Sequence, residues 1–172
     1  MKLWLLDADV IIKLLEIDVF DRLANQHDVS VTSTVIAEVK YFRRGGRKIV
    51  VDFRCQYVET GLITETFATA DEMKEVISLL PVPRRQGIHA GEIESLAVLV
   101  RQVDLTLCTF DAAAIRTLPF LGATERVVSA ERLLQISGLT LSPEYKLDPR
   151  LSQEYLKSNL EQGNVAFVLN LI

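Results

Sequence analysis

A chain of 172 residues with 49% hydrophobic side chains fits one domain that buries its own core, and leaves little room for a second. Two cysteines, Cys55 and Cys108, exclude a disulfide scaffold and point to a reducing compartment. A net charge of −4 excludes a globally basic nucleic-acid binder, so any such contact must come from local charge. The start, MKLWLLDADVII, is broken by Asp7 and Asp9 before it can serve as a signal-peptide core, and no stretch has the length of a membrane span. The expectation is a soluble cytoplasmic protein.

Along the chain, segments with strand character alternate with helical ones, the pattern of a central parallel sheet flanked by helices in an α/β fold of three layers. Residues 3–6 form an apolar run that ends at Asp7 and reads as a buried first strand carrying Trp4. Residues 10–20 read as helix, broken near Asp18 and resumed towards Gln26. A second strand is expected at residues 29–32, followed by a helix capped by Ser33 or Thr34 and carrying Val35, Glu38, Val39 and Phe42. Arg43, Arg44, Arg47 and Lys48 surround Gly45 and Gly46, which suits either a phosphate-contacting loop or a solvated helix end. Residues 49–70 are ambiguous, with a further strand expected within 58–66.

Residues 71–80 read as helix, and Pro81, Pro83 and Gly87 mark a loop. Helix is expected again at 90–102, strand at 105–109, a helix start at 111–117, a short strand at 127–128 and a helix at 130–136 closed by Gly138. Composition then changes. Residues 138–172 form an extension with a polar helix at 149–162 and the apolar end VAFVLNLI, expected to pack on the body or on a partner.

Chemistry concentrates in the acids. Asp7 and Asp111 both follow apolar strands where the chain turns into helix, and in open α/β sheets the ligand crevice lies beyond the carboxyl ends of the strands. Each can also cap its helix, as can Asp9. Glu38 lies beside the apolar face of its helix. In GEIESLAVLV the apolar sector lies about 70° from Glu92 and about 130° from Glu94 at helical periodicity, which makes Glu92 the candidate ligand and sends Glu94 towards water as a surface or supporting residue. Carboxylates converging on one crevice raise one another's pKa unless a cation is present, and an oxygen-only set suits Mg²⁺ or Mn²⁺. His89 reads as a helix-start residue near this site, and Cys108 as core.

Four pieces together resemble the PIN domain ribonucleases, to which many toxins of bacterial and archaeal toxin-antitoxin pairs belong. LLDADVII supplies Asp7, SVTSTVIAEV supplies Glu38, IHAGEIESLAVL supplies Glu92, and LCTFDAAA supplies Asp111, in the family's order over residues 3–137. Asp9 and Thr109 match positions that often carry a supporting polar group. The resemblance implies a PIN-like nuclease domain at 1–137 of Rossmann-like build and a metal-dependent endoribonuclease with Asp7, Glu38, Glu92 and Asp111 catalytic. It implies Asp7, Glu92 and Asp111 as ligands of Mg²⁺ or Mn²⁺, and as partners an RNA substrate, an antitoxin protein and often a second copy. Two rivals stand beside it. LLDADVI also resembles the nucleophile motif of haloacid-dehalogenase-like phosphatases, with Asp7 as nucleophile and Asp9 as general acid, although no late paired-aspartate motif follows. The other rival is a catalytically silent PIN-like binding module.

Overall fold

A computed structural model describes residues 3–170; Met1, Lys2, Leu171 and Ile172, which belong to the first and last apolar runs above, lie outside the described residues. Strand β1 (Leu3–Leu6) leads into α1 (Ala8–Glu16), and Asp18 at φ 61° breaks the helix before α2 (Phe20–Gln26). Strand β2 (Asp28–Thr32) follows, then α3 (Ser33–Glu38). The cap of α3 is Thr32, whose hydroxyl accepts from Val35 N, and neither Ser33 nor Thr34 takes that role. The helix stops at Glu38 and Phe42 is not part of it.

Phe42 instead lies on β3 (Tyr41–Arg44), which pairs antiparallel with β4 (Arg47–Val50). Gly45 and Gly46 turn the hairpin with φ of 55° and 75°, values that both central residues of a tight two-residue hairpin turn require and glycine adopts without strain. The basic segment is therefore a hairpin and not a helix end. A π-helical turn at Arg54–Val58 leads to β5 (Ile63–Thr66). Next come α4 (Ala70–Leu79), a short α5 (Val82–Arg85) inside the expected loop, and α6 (Ala90–Arg101). Strand β6 (Thr106–Cys108) passes to α7 (Ala112–Thr117), and β7 (Val127–Val128) to α8 (Ala130–Ile136).

The main sheet is five-stranded in the order β5-β2-β1-β6-β7, and every pairing is parallel. Alternation along β1 sends Trp4 and Leu6 to one core and Leu5 to the other, as a strand buried on both faces must. One core joins the sheet to α1, α2, α3, α8 and the hairpin; the other joins it to α4 and α6. This is the three-layer α/β/α arrangement expected from the alternation of elements.

The extension leaves α8 at Gly138, crosses back over α1 and ends in α9 (Gln153–Asn170), which takes in residues 165–170 of the apolar end as helix. Leu156, Asn159 and Gly163 are its buried residues, and α9 lies against α7. Asn159 accepts from Arg116 Nε at 2.8 Å, and Phe167 packs edge-on against Phe120 with ring centres 5.3 Å apart. No helix among the described residues is long and apolar enough to cross a membrane.

Candidate functional site

The chain leaves β1 in one direction to build β2 and β5, then returns to the other side of β1 to build β6 and β7. The sheet thus reverses its strand order between β1 and β6. A crevice opens beyond the carboxyl ends of such neighbours because the connections run away on opposite faces. Asp7 directly follows β1 and Thr109 directly follows β6, so the topology delivers both to this edge. Helix α6 precedes β6 and runs the other way, which brings its first turn and Glu92 to the same edge.

Asp7 caps α1, its Oδ1 accepting from Ala8 N at 2.8 Å. Its Oδ2 accepts from the hydroxyl of buried Thr109 at 2.9 Å. The same hydroxyl accepts from Asp111 N at 3.1 Å, and Asp111 Oδ1 caps α7 by accepting from Ala114 N at 2.7 Å. Both aspartates therefore do act as caps, as their positions allowed, but with one oxygen each. Asp9 does not cap; it is exposed in the first turn of α1. Glu92 Oε2 accepts from His89 N at the start of α6. Exposed Glu38 reaches the same turn from α3: a Cβ built on Gly91 would stand 3.4 Å from Glu38 Oε1 and 3.2 Å from Thr34 Cγ2.

The electrostatics fit one shared edge. Burial pushes the Asp7 carboxyl up to about 6; the bonds from Thr109 and Ala8 oppose this, and the charges of Asp9 and Glu92 add to it. Burial also raises Glu92, with the charges of Asp111 and Glu38 adding to it against the His89 N–H. Desolvation and like charge disfavour the ionised form in both. Among the described residues, no three His, Cys, Asp or Glu side chains come together closely enough to hold a metal ion by themselves.

Two further candidates take different places. Glu94 does not face water: it is buried, and its Oε2 accepts from Thr34 N at 3.1 Å. Helix α6 packs against α3 and β2 as well as α4, so the side opposite its apolar sector is also covered. Arg44 is not open to phosphate, since Nη2 donates to Leu15 O at 2.6 Å and Nη1 pairs with Asp18 at 2.9 Å. That ties the hairpin tip to the far end of α1, roughly 12 Å along the helix from Asp7 at 1.5 Å per residue. Arg43, Arg47 and Lys48 are exposed on the hairpin, with Lys48 Nζ 4.1 Å from the Tyr41 ring centre.

Two residues near this edge carried no signal in the sequence. Ser95, one turn beyond Glu92, is buried with an Oγ that has no hydrogen-bond partner among the described residues. Arg150, from the extension, lies over Phe110, the residue between Thr109 and Asp111, with its guanidinium carbon 5.0 Å from the ring centre. Neither is marked by spacing, because their surroundings are set by the fold. Comparison of the chain with models of known families, with curated proteins and with solved structures finds no match.

Proposed function

We propose that the protein is a divalent-metal-dependent endoribonuclease working at the carboxyl edge of β1 and β6. The observation that carries the reading is the gathering of carboxylates at this edge: one Thr109 hydroxyl joins Asp7 to the backbone of Asp111, and Asp7 and Glu92, from different elements, are both pushed up, first by burial and then by neighbouring carboxylates. Uncompensated carboxylates cost stability, and a hard cation offsets the cost. The donors are all oxygens, the chemistry Mg²⁺ and Mn²⁺ take. Mg²⁺ is commonly held by one or two carboxylates directly, with waters bridging to the rest, which suits carboxylates that share an edge without meeting at one point.

In this reading Asp7, Glu92 and Asp111 would hold the ion, one or two of them directly and the rest through water, and Glu38, exposed at the rim, would accept a proton. Bound, the ion supplies an activated water and neutralises charge on the phosphate oxygens. Thr109 fixes the Asp7 carboxylate and the backbone of Asp111 together. Asp9 adds negative charge beside Asp7, while Glu94 holds α3 against α6. RNA as substrate, and the antitoxin partner and toxin role that accompany it, follow from the PIN resemblance of the four motifs.

The test is purified protein with Mg²⁺ or Mn²⁺, offered single-stranded RNA and, separately, a phosphomonoester. Cleavage within the RNA that stops on chelation is the expected result. Hydrolysis of the monoester alone would transfer the site to the phosphatase chemistry of an Asp7 nucleophile.

A further inference from the structure

An edge that carries Asp7, Glu38, Glu92 and Asp111 as neighbours repels a polyanion, and one dication does not cancel four carboxylates. A nuclease built this way needs fixed positive charge beside the ion to seat its substrate. The hairpin does not supply it at the crevice, because Arg44 anchors the tip at the opposite end of α1.

Arg150 is placed to do so. It belongs to the extension, just before α9, and its guanidinium covers Phe110, which puts it one residue from both Thr109 and Asp111. Asp148 grips one side of the fork: Nε donates to Oδ1 at 3.2 Å and Nη2 to Oδ2 at 2.8 Å. The Asp148 carboxylate is itself aimed by the Arg150 backbone N–H at 3.0 Å. One edge of the guanidinium is thus held by a carboxylate and one face by a ring. The end-on edge, Nη1 with the remaining Nη2 hydrogen, makes no hydrogen bond among the described residues, and the side chain is 53% exposed. Hydrogen bonding to Asp148 raises the affinity of the guanidinium for its proton, and the Asp9 charge is felt there too. A planar fork with one bidentate edge fixed and the other open to solvent is preorganised for a phosphate.

We propose that Arg150 binds a backbone phosphate of the RNA next to the one cleaved, so that the C-terminal extension forms part of the substrate site. This rests on the ribonuclease reading above. Arg150 is a substrate-binding residue, with Asp148 and Phe110 positioning it, and it has no part in moving protons.

The experiment compares wild type, Arg150→Gln and Arg150→Lys in the full chain, with Mg²⁺ or Mn²⁺ and a short single-stranded oligoribonucleotide, over a series of salt concentrations. Arg150→Gln is expected to raise KM about tenfold with kcat little changed. It should also flatten the slope of log kcat/KM against log salt by about 0.7, the share of one phosphate contact on a single strand. Arg150→Lys should restore the slope but only part of the KM, since lysine lacks the fork. Unchanged KM and slope in a folded Arg150→Gln would overturn the inference and leave the ribonuclease reading standing. If Arg150→Gln fails to fold, Arg150→Lys decides: a raised KM with the wild-type slope supports the contact, and a wild-type KM assigns Arg150 to the fold alone. Absence of RNA cleavage by wild type removes the ribonuclease reading, and this inference with it.

Discussion

The hydroxyl of Thr109 donates to Oδ2 of Asp7 at 2.9 Å, joining the ends of two parallel strands that are neighbours in the sheet but about a hundred residues apart in the chain. Through the same oxygen it receives the N–H of Asp111, so one hydroxyl sets two of the four acids.

Thr109→Val removes that hydroxyl while keeping the branched shape. Asp7 then loses its strongest stabilising partner as an anion, so its pKa rises further above 6 and metal binding weakens. The loss to stability is about 1 kcal/mol. Calorimetric titration with Mn²⁺ beside a urea melt separates the two effects, with affinity expected to fall more than stability.

The Asp7 carboxyl also gives the metal-free protein a pH dependence. Folded, it keeps its proton up to about pH 6; its ordinary value is 3.8. The folded state therefore binds more protons between these values, and stability from this group is fully present below about pH 4 and lost as pH rises through 6. The size is about 3 kcal/mol. Urea midpoints from pH 4 to 7 in chelator should fall more steeply with pH for wild type than for Asp7→Asn, and parallel curves would contradict it.

Glu94 and Glu38 should separate cleanly. Glu94→Ala takes the acceptor from the half-buried Thr34 N and removes a buried side chain between α3 and α6, at an expected cost of about 1–3 kcal/mol. Glu38→Gln, at an exposed rim, should leave the melt within about 0.5 kcal/mol of wild type while lowering RNA cleavage. Thermal melts and cleavage rates on the same preparations check both.

At Gly163 the backbone of α9 lies directly against that of Arg116. A Cβ there would lie 2.7 Å from Arg116 O and 2.9 Å from Arg116 Cα, and backbone cannot swing aside as a side-chain tip can. Gly163→Ala should push α9 off α7 at a cost of about 1–3 kcal/mol. Limited proteolysis should then cut the extension before the body.

Much of this was legible in the sequence. Apolar runs ending in Asp7 and before Asp111 gave the two central strands and the edge at which they meet, because a buried strand and a helix-start carboxylate are both local signals. The hairpin was not, since Phe42 continues the helical spacing of Val35 and Val39, and only the paired positive φ of Gly45 and Gly46 reveals a turn. The outward placing of Glu94 failed because helical periodicity assumes one buried side, whereas α6 is covered by α3 as well as by the sheet. Arg150 could not be found by spacing at all: its meaning comes from Phe110 and Asp148, one of them across the fold.

The most direct measurement is Mn²⁺ binding and RNA cleavage in wild type against Asp7→Asn, read side by side with their melting curves. The account predicts metal binding and cleavage in wild type and loss of both in a variant that still melts cooperatively. Cleavage by Asp7→Asn at the wild-type rate would contradict it.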